Sequence, residues 1–126
     1  MPTITLDTTY TETTQMGIHQ VARELVSALG PTLVAVLAGV KDRKLPPKWA
    51  LADGPMPRTE SERKLRTAHR VFMALARNQD EHIARSWFIG LNPLLDETQP
   101  VVALNEGRDR EVVEAARSYL RDIVGV

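Results

Sequence analysis

A chain of 126 residues, 43% of them hydrophobic, can bury one core, which predicts one compact domain or two small subdomains that share it. It has no cysteine, which excludes disulfides, thiol catalysis and zinc sites built on thiolates. No apolar run approaches the ~20 residues of a membrane span and no secretory signal is found, so we expect a cytoplasmic protein without a membrane partner.

Charge is unevenly distributed along the chain, although the formal net charge is zero. Residues 41–77 hold ten Lys and Arg against four acids, a net charge of +6. Residues 1–40 carry a net charge of −2, and residues 78–126 carry −4. A basic middle segment beside an acidic C-terminal one predicts two surfaces with different partners, a polyanion and a protein. The alternative is a solvated charged surface without any partner.

Threonine dominates the N-terminus, where seven of the first fourteen residues are Thr. Because Thr favours extended structure over helix, we predict that residues 1–14 form an arm or a short extended segment. A helix follows, since apolar residues recur at one helical face. That face consists of Ile18, Val21, Ala22, Leu25, Val26 and Leu29. Gly30-Pro31 restarts the chain, and a short, nearly all-apolar helix then runs as far as Gly39.

Prolines and a capping pattern delimit the next two helices. Pro46 and Pro47 cannot lie deep inside a helix, so the helix that contains Trp49 begins at about Pro46. The Pro- and Gly-rich segment 53–57 is a loop by composition. Residues 59–62 match a capping box, which opens a longer helix. Its predicted apolar face is Leu65, Ala68, Phe72, Leu75 and Ala76.

The C-terminal part shows further helical patterns. Residues 78–81 match a second cap, and helical spacing follows it as far as Leu91. Asn92-Pro93 breaks the chain, and a short helix over residues 100–104 precedes Gly107 and the last helix. The apolar face of the last helix is Val112, Val113, Ala116, Tyr119, Leu120 and Ile123. The sequence therefore predicts an all-α protein, a compact bundle of about six helices.

No motif of an active site or a metal centre is found. The three histidines have no carboxylates at ligand spacing, and the glycines are isolated turn or helix-end residues rather than a phosphate loop. The serines lack the turn context of an activated nucleophile. We therefore predict a protein that binds rather than catalyses, with no catalytic residue, no metal and no cofactor.

Residues 30–52 are typical of a helix-turn-helix. Ala35 is small enough to let two helices cross closely, Gly39 permits a left-handed turn, and Trp49 packs the second helix onto the first. Basic residues cluster around this turn, where they would contact DNA phosphates or the major groove. The predicted DNA-binding residues are Lys41, Arg43, Lys44, Lys48 and Arg58. A purely structural helical hairpin is the alternative.

Two stretches of the chain carry a family resemblance. The first is residues 37–44 followed by Trp49, which looks like an Xre-type helix-turn-helix. The second is residues 84–113, which combine a Trp-bearing helix, an Asn-Pro, a Pro-led Leu helix, a Gly and a Val-rich last helix. Together they resemble the Xre/MbcA/ParS antitoxins. The resemblance implies a helix-turn-helix domain at residues 15–77 and a small helical toxin-binding domain at residues 78–126.

In that family the antitoxin covers the active-site cleft of a RES-domain toxin that consumes NAD, and the complex represses its own operon. The resemblance thus implies a type II antitoxin whose partners are a RES-type toxin and double-stranded operator DNA. The residues expected to contact the toxin are Arg117, Tyr119, Arg121 and Val126. Packing of Tyr119 in the core is the alternative. Two-fold operator binding implies a homodimer.

The chain departs from the Xre pattern at Pro46-Pro47. The second helix should start late, which moves Arg43 and Lys44 into the preceding loop, where they contact phosphates rather than bases. Two other functions stay open: a stand-alone DNA-binding transcriptional regulator without a toxin, and an interaction module or enzyme. A RES-type reading frame beside the gene would favour the antitoxin, and a lone gene would favour the regulator.

Overall fold

The computed structural model describes residues 3–125, so Val126 of the predicted toxin-binding set lies outside the described residues. The described residues form eight α-helices and one 3₁₀ turn, Pro93–Leu95. In chain order the helices are α1 (Leu6–Gln15), α2 (Ile18–Leu29), α3 (Pro31–Ala38), α4 (Leu45–Trp49), α5 (Thr59–Asn78), α6 (Glu81–Ile89), α7 (Pro100–Asn105) and α8 (Asp109–Val124). Residues 3–125 contain no strand, and the predicted all-α class is confirmed. There are two more helices than the six predicted, and the N-terminal segment supplies one.

Helix α5 is the centre of the bundle and contacts α1, α2, α3, α6, α7 and α8. Four of the five residues of its predicted apolar face are buried, with Leu65 and Leu75 fully enclosed, and Ala76 is partly buried. The predicted capping box is wrong, because Thr59 is already the first helical residue and its hydroxyl makes no cap. Ser61 turns inward instead, and its hydroxyl donates to the carbonyl oxygen of Ala38 at 2.8 Å. Ser61, which lies inside the predicted capping box, thus joins α5 to the end of α3.

Helix α1 corrects the prediction of an extended N-terminal arm. Thr5 caps it, since the Thr5 hydroxyl accepts from the backbone N–H of Thr8 at 3.1 Å. Threonines within the helix donate their hydroxyls to carbonyls three or four residues earlier, which satisfies these groups inside the helix. Helix α1 packs on α5 and buries Leu6, Thr9 and Thr13. Tertiary packing therefore overrides the low helix propensity of Thr.

Two glycines shape the path from α2 to α4. Gly30 separates α2 from α3, and Gly39 ends α3 in the left-handed conformation at φ +80°. Helix α4 begins at Leu45, within one residue of the predicted start. Trp49 is buried, and its carbonyl oxygen lies 2.8 Å from Nδ1 of His19 on α2. Helix α4 is thereby fixed to α2 as well as to α3.

The C-terminal helices complete the same core. Helix α6 follows Asp80, whose carboxylate accepts from the backbone N–H of Ile83 at 2.8 Å. Asn78, predicted to begin this cap, is instead the last residue of α5. Helix α7 packs on α3 and α8 on α5, so buried residues of both predicted halves belong to one hydrophobic core. Within residues 3–125 no helix combines the length and hydropathy that a bilayer crossing requires.

Candidate functional site

The five predicted DNA-binding residues lie around the segment that leads from α3 to α5. Lys41, Arg43 and Lys44 belong to the turn after Gly39, Lys48 lies on α4, and Arg58 immediately precedes α5. We call this set the basic surface. Asp42 holds the turn in shape, because its carboxylate accepts from the backbone N–H of Lys44 at 2.9 Å and its carbonyl from that of Leu45 at 3.1 Å.

All five side chains of the basic surface are exposed. None of them forms an ion pair with another side chain of residues 3–125. Most other arginines do have carboxylate partners, and these are Arg63, Arg66, Arg70, Arg77, Arg108 and Arg117. Within residues 3–125, Arg23, Arg85, Arg110 and Arg121 also lack an ion pair. The basic surface differs because its five unpaired cations belong to one segment, between the end of α3 and the start of α5.

The proline pair lies at the start of helix α4, and this helix is short. As predicted, helix α4 starts late, with Arg43 in the turn and Lys44 as the residue that precedes the helix. Helix α4 has five residues, which corresponds to roughly 7.5 Å of helix. So short a helix cannot present several side chains to successive base edges, which a recognition helix does.

Gly54 positions the loop that returns from α4 to Arg58. Its backbone N–H donates to the carbonyl oxygen of Leu51 at 2.9 Å. A Cβ on Gly54 would lie 2.0 Å from the carbonyl oxygen of Lys48, a distance that no side chain can adopt. Glycine is therefore required here, and the close return brings Arg58 to the same hollow, of about 720 Å³, that Lys41 lines.

Sequence reasoning missed Lys64, which also lines this hollow. Its side chain is buried, and Nζ donates to the carbonyl oxygen of Asn105 at the end of α7, at 2.8 Å. The Glu60 carboxylate lies 3.7 Å from the same nitrogen. Since a cation is favourable at a helix C-terminus, Lys64 ties α5 to α7. The available signal was its position, one residue before Leu65 and four before Ala68, on the apolar face of α5.

The residues predicted to contact a toxin do not form one cluster. Arg117 is paired with Glu114, Nε to Oε1 at 3.5 Å, and the Tyr119 hydroxyl donates to Gln79 Oε1 at 2.9 Å. The Tyr119 ring is partly buried against the core, with its centroid 6.5 Å from that of Trp87. Arg121 is exposed and lines a hollow of about 300 Å³ together with Arg117. The structure thus brings the two arginines together and places Tyr119 elsewhere.

Two exposed leucines lie between α6 and α7, Leu91 before the 3₁₀ turn and Leu94 within it. Leu91 is 68% exposed and Leu94 is 61% exposed, and we call residues 91–97 the leucine loop. Asp96 and Glu97 in this loop are left-handed, with φ of +58° and +59°, the only residues other than glycine with positive φ in the described chain. Leu91 was predicted as the last apolar residue of the helical pattern of α6, but α6 ends at Ile89 and Leu91 is exposed. Leu94 is exposed and the next residue, Leu95, is buried, a difference that the sequence pattern does not predict.

A buried histidine connects three helices beneath these surfaces. His69 on α5 is fully buried, with Nδ1 2.9 Å from the Thr13 hydroxyl on α1 and Nε2 2.8 Å from the Glu24 carboxylate on α2. Burial lowers the pKa of His69, and the positive charges of Arg66 and Arg77 lower it further.

The contact with His69 also affects the pKa of Glu24. Partial burial raises the pKa of Glu24, but hydrogen bonds from His69 and Gln20 outweigh burial, so its pKa lies below the ordinary value. The described residues contain no cluster of three or more side chains suited to hold a metal ion. Through its contacts with Thr13 and Glu24, His69 joins α1 and α2 to α5.

Comparisons of this chain with protein-family models, with curated proteins and with solved structures return no match.

Proposed function

We propose that the protein binds double-stranded DNA through the phosphate backbone, using the basic surface. The observation that carries the proposal is the exposure of five cations without any carboxylate partner among residues 3–125. Lysine and arginine that are not neutralised within a fold gain free energy by releasing the counterions of a polyanion. The short helix α4 favours affinity for the backbone over reading of bases.

The second part of the proposal is an antitoxin function, exercised by docking on a protein rather than by catalysis. The resemblance of residues 84–113 to the toxin-binding domain of Xre/MbcA/ParS antitoxins supports it. The partner is then a RES-type, NAD-consuming toxin in the cytoplasm, and the complex represses its own operon as a two-fold dimer. The acidic balance of residues 78–126, −4 in net charge, supports a protein partner over a nucleic acid for this end of the molecule.

A charge-reversal pair tests the DNA-binding part. Arg43→Glu with Lys44→Glu should weaken binding to a fluorescent duplex of its own promoter by roughly 100-fold, measured by anisotropy, since two attractive contacts become repulsive. The matched control is Arg85→Glu with Arg110→Glu. These are also exposed arginines without an ion pair in the described structure, but they lie outside the basic surface. Equal weakening by both pairs would show that net charge alone, and not this surface, governs binding.

Co-expression tests the antitoxin part. A RES-type toxin encoded beside this gene should arrest growth alone and lose that effect when the chain is supplied. If growth remains arrested although the chain is expressed in soluble form, the chain does not neutralise the toxin. If the gene has no such neighbour and the promoter DNA is still bound, the protein is the stand-alone regulator.

A further inference from the structure

We infer that the leucine loop is the docking site for the partner protein, and that the partner offers an apolar cleft edged by lysine or arginine. This inference rests on the proposed antitoxin function and moves its contact surface from the C-terminal tail to residues 91–97.

The two leucines are the most exposed large apolar side chains of the described C-terminal part. Leu91 and Leu94 are each more than 60% exposed, whereas Leu95, the residue after Leu94, is fully buried. Two large apolar side chains presented to water by one short turn are the kind of feature that marks a protein interaction site. Leu95 anchors the turn in the core while Leu91 and Leu94 face outward.

The loop is held rigid by Asn92. Its side-chain oxygen accepts from the backbone N–H of Leu94 at 2.9 Å, and its carbonyl accepts from those of Leu95 and Glu97, both at 2.9 Å. Asn92 also pairs with Thr98 as an antiparallel bridge that closes the loop. A loop that is already ordered loses little conformational entropy when it binds, so its leucines can contribute most of their burial to affinity.

The left-handed residues add a second sign of a shaped loop. Asp96 and Glu97 adopt φ near +60° in succession, a conformation that a glutamate side chain disfavours. Strained backbone of this kind persists where the surrounding bonds determine it, and it clusters at functional sites. Both residues are exposed, and Asp96 lines the same hollow as Leu94.

Charge specifies the rim of the partner. Residues 91–115 hold six acids against two arginines. Leu94 lines one hollow, of about 490 Å³, together with Asp96, Glu111, Glu114 and the two arginines. Of those arginines, Arg110 is exposed and has no ion pair among residues 3–125, whereas Arg108 is shared by the carboxylates of Asp96, Glu106 and Glu111. One cation against three carboxylates leaves this group a net charge of −2. An apolar contact inside an acidic border is complementary to an apolar cleft with a basic border.

The test replaces both leucines with serine. Leu91→Ser with Leu94→Ser should raise the Kd for the purified RES-type toxin by roughly 30-fold or more, measured by calorimetry, since two apolar side chains lose their burial. The matched control is Leu51→Ser, because Leu51 is 57% exposed but lies near the basic surface. It should leave the Kd unchanged. Circular dichroism and promoter binding of all variants should equal those of the parent.

The outcomes separate this inference from the proposed function. A toxin that binds the double variant as tightly as the parent overturns the docking site and leaves the antitoxin function standing, whereas a toxin that binds neither form overturns both. Analytical ultracentrifugation of the chain alone tests whether a second copy of the chain occupies the loop. A dimer that the double variant abolishes would assign the loop to that second copy and overturn the inference. Binding that tightens as salt is raised would contradict the basic rim.

Discussion

The basic surface and the leucine loop differ in what holds them and in what they leave free. The basic surface is shaped by Gly39, Gly54 and the turn bonds of Asp42, and its cations have no partner among residues 3–125. The leucine loop is shaped by Asn92 and by Arg108, which pairs with the surrounding acids. The basic surface therefore presents unpaired positive charge, and the leucine loop presents two exposed apolar side chains.

Under the proposed function, this difference corresponds to two kinds of partner, a polyanion at the basic surface and a protein at the leucine loop. Unneutralised cations attract any polyanion at long range, and their effect falls as salt rises. Exposed leucines act only at contact, and their effect depends on the shape of what covers them. We therefore expect a surface substitution to weaken binding at only one of the two regions. A change in the shared core should weaken binding at both.

The largest effect should come from Gly54→Ala, which breaks the basic surface and spares the leucine loop. Its Cβ would lie 2.0 Å from the carbonyl oxygen of Lys48, so the loop to Arg58 must move. We expect a loss of about 3 kcal/mol in the free energy of unfolding by urea, together with weaker DNA binding.

The control for this change is Gly17→Ala. Gly17 has φ of −65° and open space around its Cα, so the added methyl meets nothing within 4 Å. Its cost should stay below about 1 kcal/mol, the usual range for alanine at a helix N-cap. A loss at Gly54 no greater than at Gly17 would mean that the return loop is not packed as described.

Acid should weaken both regions at once, because it acts on His69 in the shared core. The pKa of His69 is lowered in the folded protein, so the stability gained by keeping the ring neutral is complete above its unfolded pKa and is lost as pH falls below about 6.5. The lowered pKa of Glu24 adds a loss at still lower pH, below about 4.5.

Thermal unfolding across this pH range measures the effect. The melting temperature of the parent should fall as the pH is lowered from about 7 to about 5.5, and His69→Gln should flatten that dependence because it removes the titrating ring. A variant that keeps the full pH dependence of the parent would assign the acid sensitivity to other groups.

The smallest expected effect is a difference in stability between two arginine variants, one in the basic surface and one beside the leucine loop. Arg43→Ala should change the free energy of unfolding by less than about 0.5 kcal/mol, since Arg43 is exposed and has no partner in the described chain. Arg108→Ala should lower the melting temperature more, because it leaves Asp96, Glu106 and Glu111 without their common cation. Equal melting temperatures would contradict the distinction between a structural and an available cation.

Local pattern was enough to predict most of the helices. The apolar spacing of α2 and α5, the left-handed stop at Gly39 and the late start of α4 follow from residues close in sequence. The exception is α1, where propensity indicates extended structure and contact with α5 decides otherwise. That contact joins segments some sixty positions apart, for example Arg77 with Glu12, and no local pattern encodes it.

The site was predictable as residue types and not as an arrangement. The sequence identifies the five basic residues, but their lack of partners depends on where every acid of the fold lies. The role of Lys64 depends on the end of α7, which reaches it from 41 positions away. Leu91 was missed because the apolar spacing of α6 extends to it, although the helix ends at Ile89. Leu94 and Leu95 are equal in hydropathy, so the sequence alone does not show which of them is buried.

The salt dependence of DNA binding tests the central claim most directly, that the basic surface is left unpaired in order to meet phosphates. Anisotropy of a labelled promoter duplex should be measured between about 50 and about 200 mM salt, with parent chain and with the Arg43→Glu, Lys44→Glu pair. We predict a logarithmic slope of roughly −3 to −4 for the parent, as expected if most of the five cations displace counterions, and a clearly shallower slope for the variant. A parent slope near zero, or one that the variant leaves unchanged, would contradict the account.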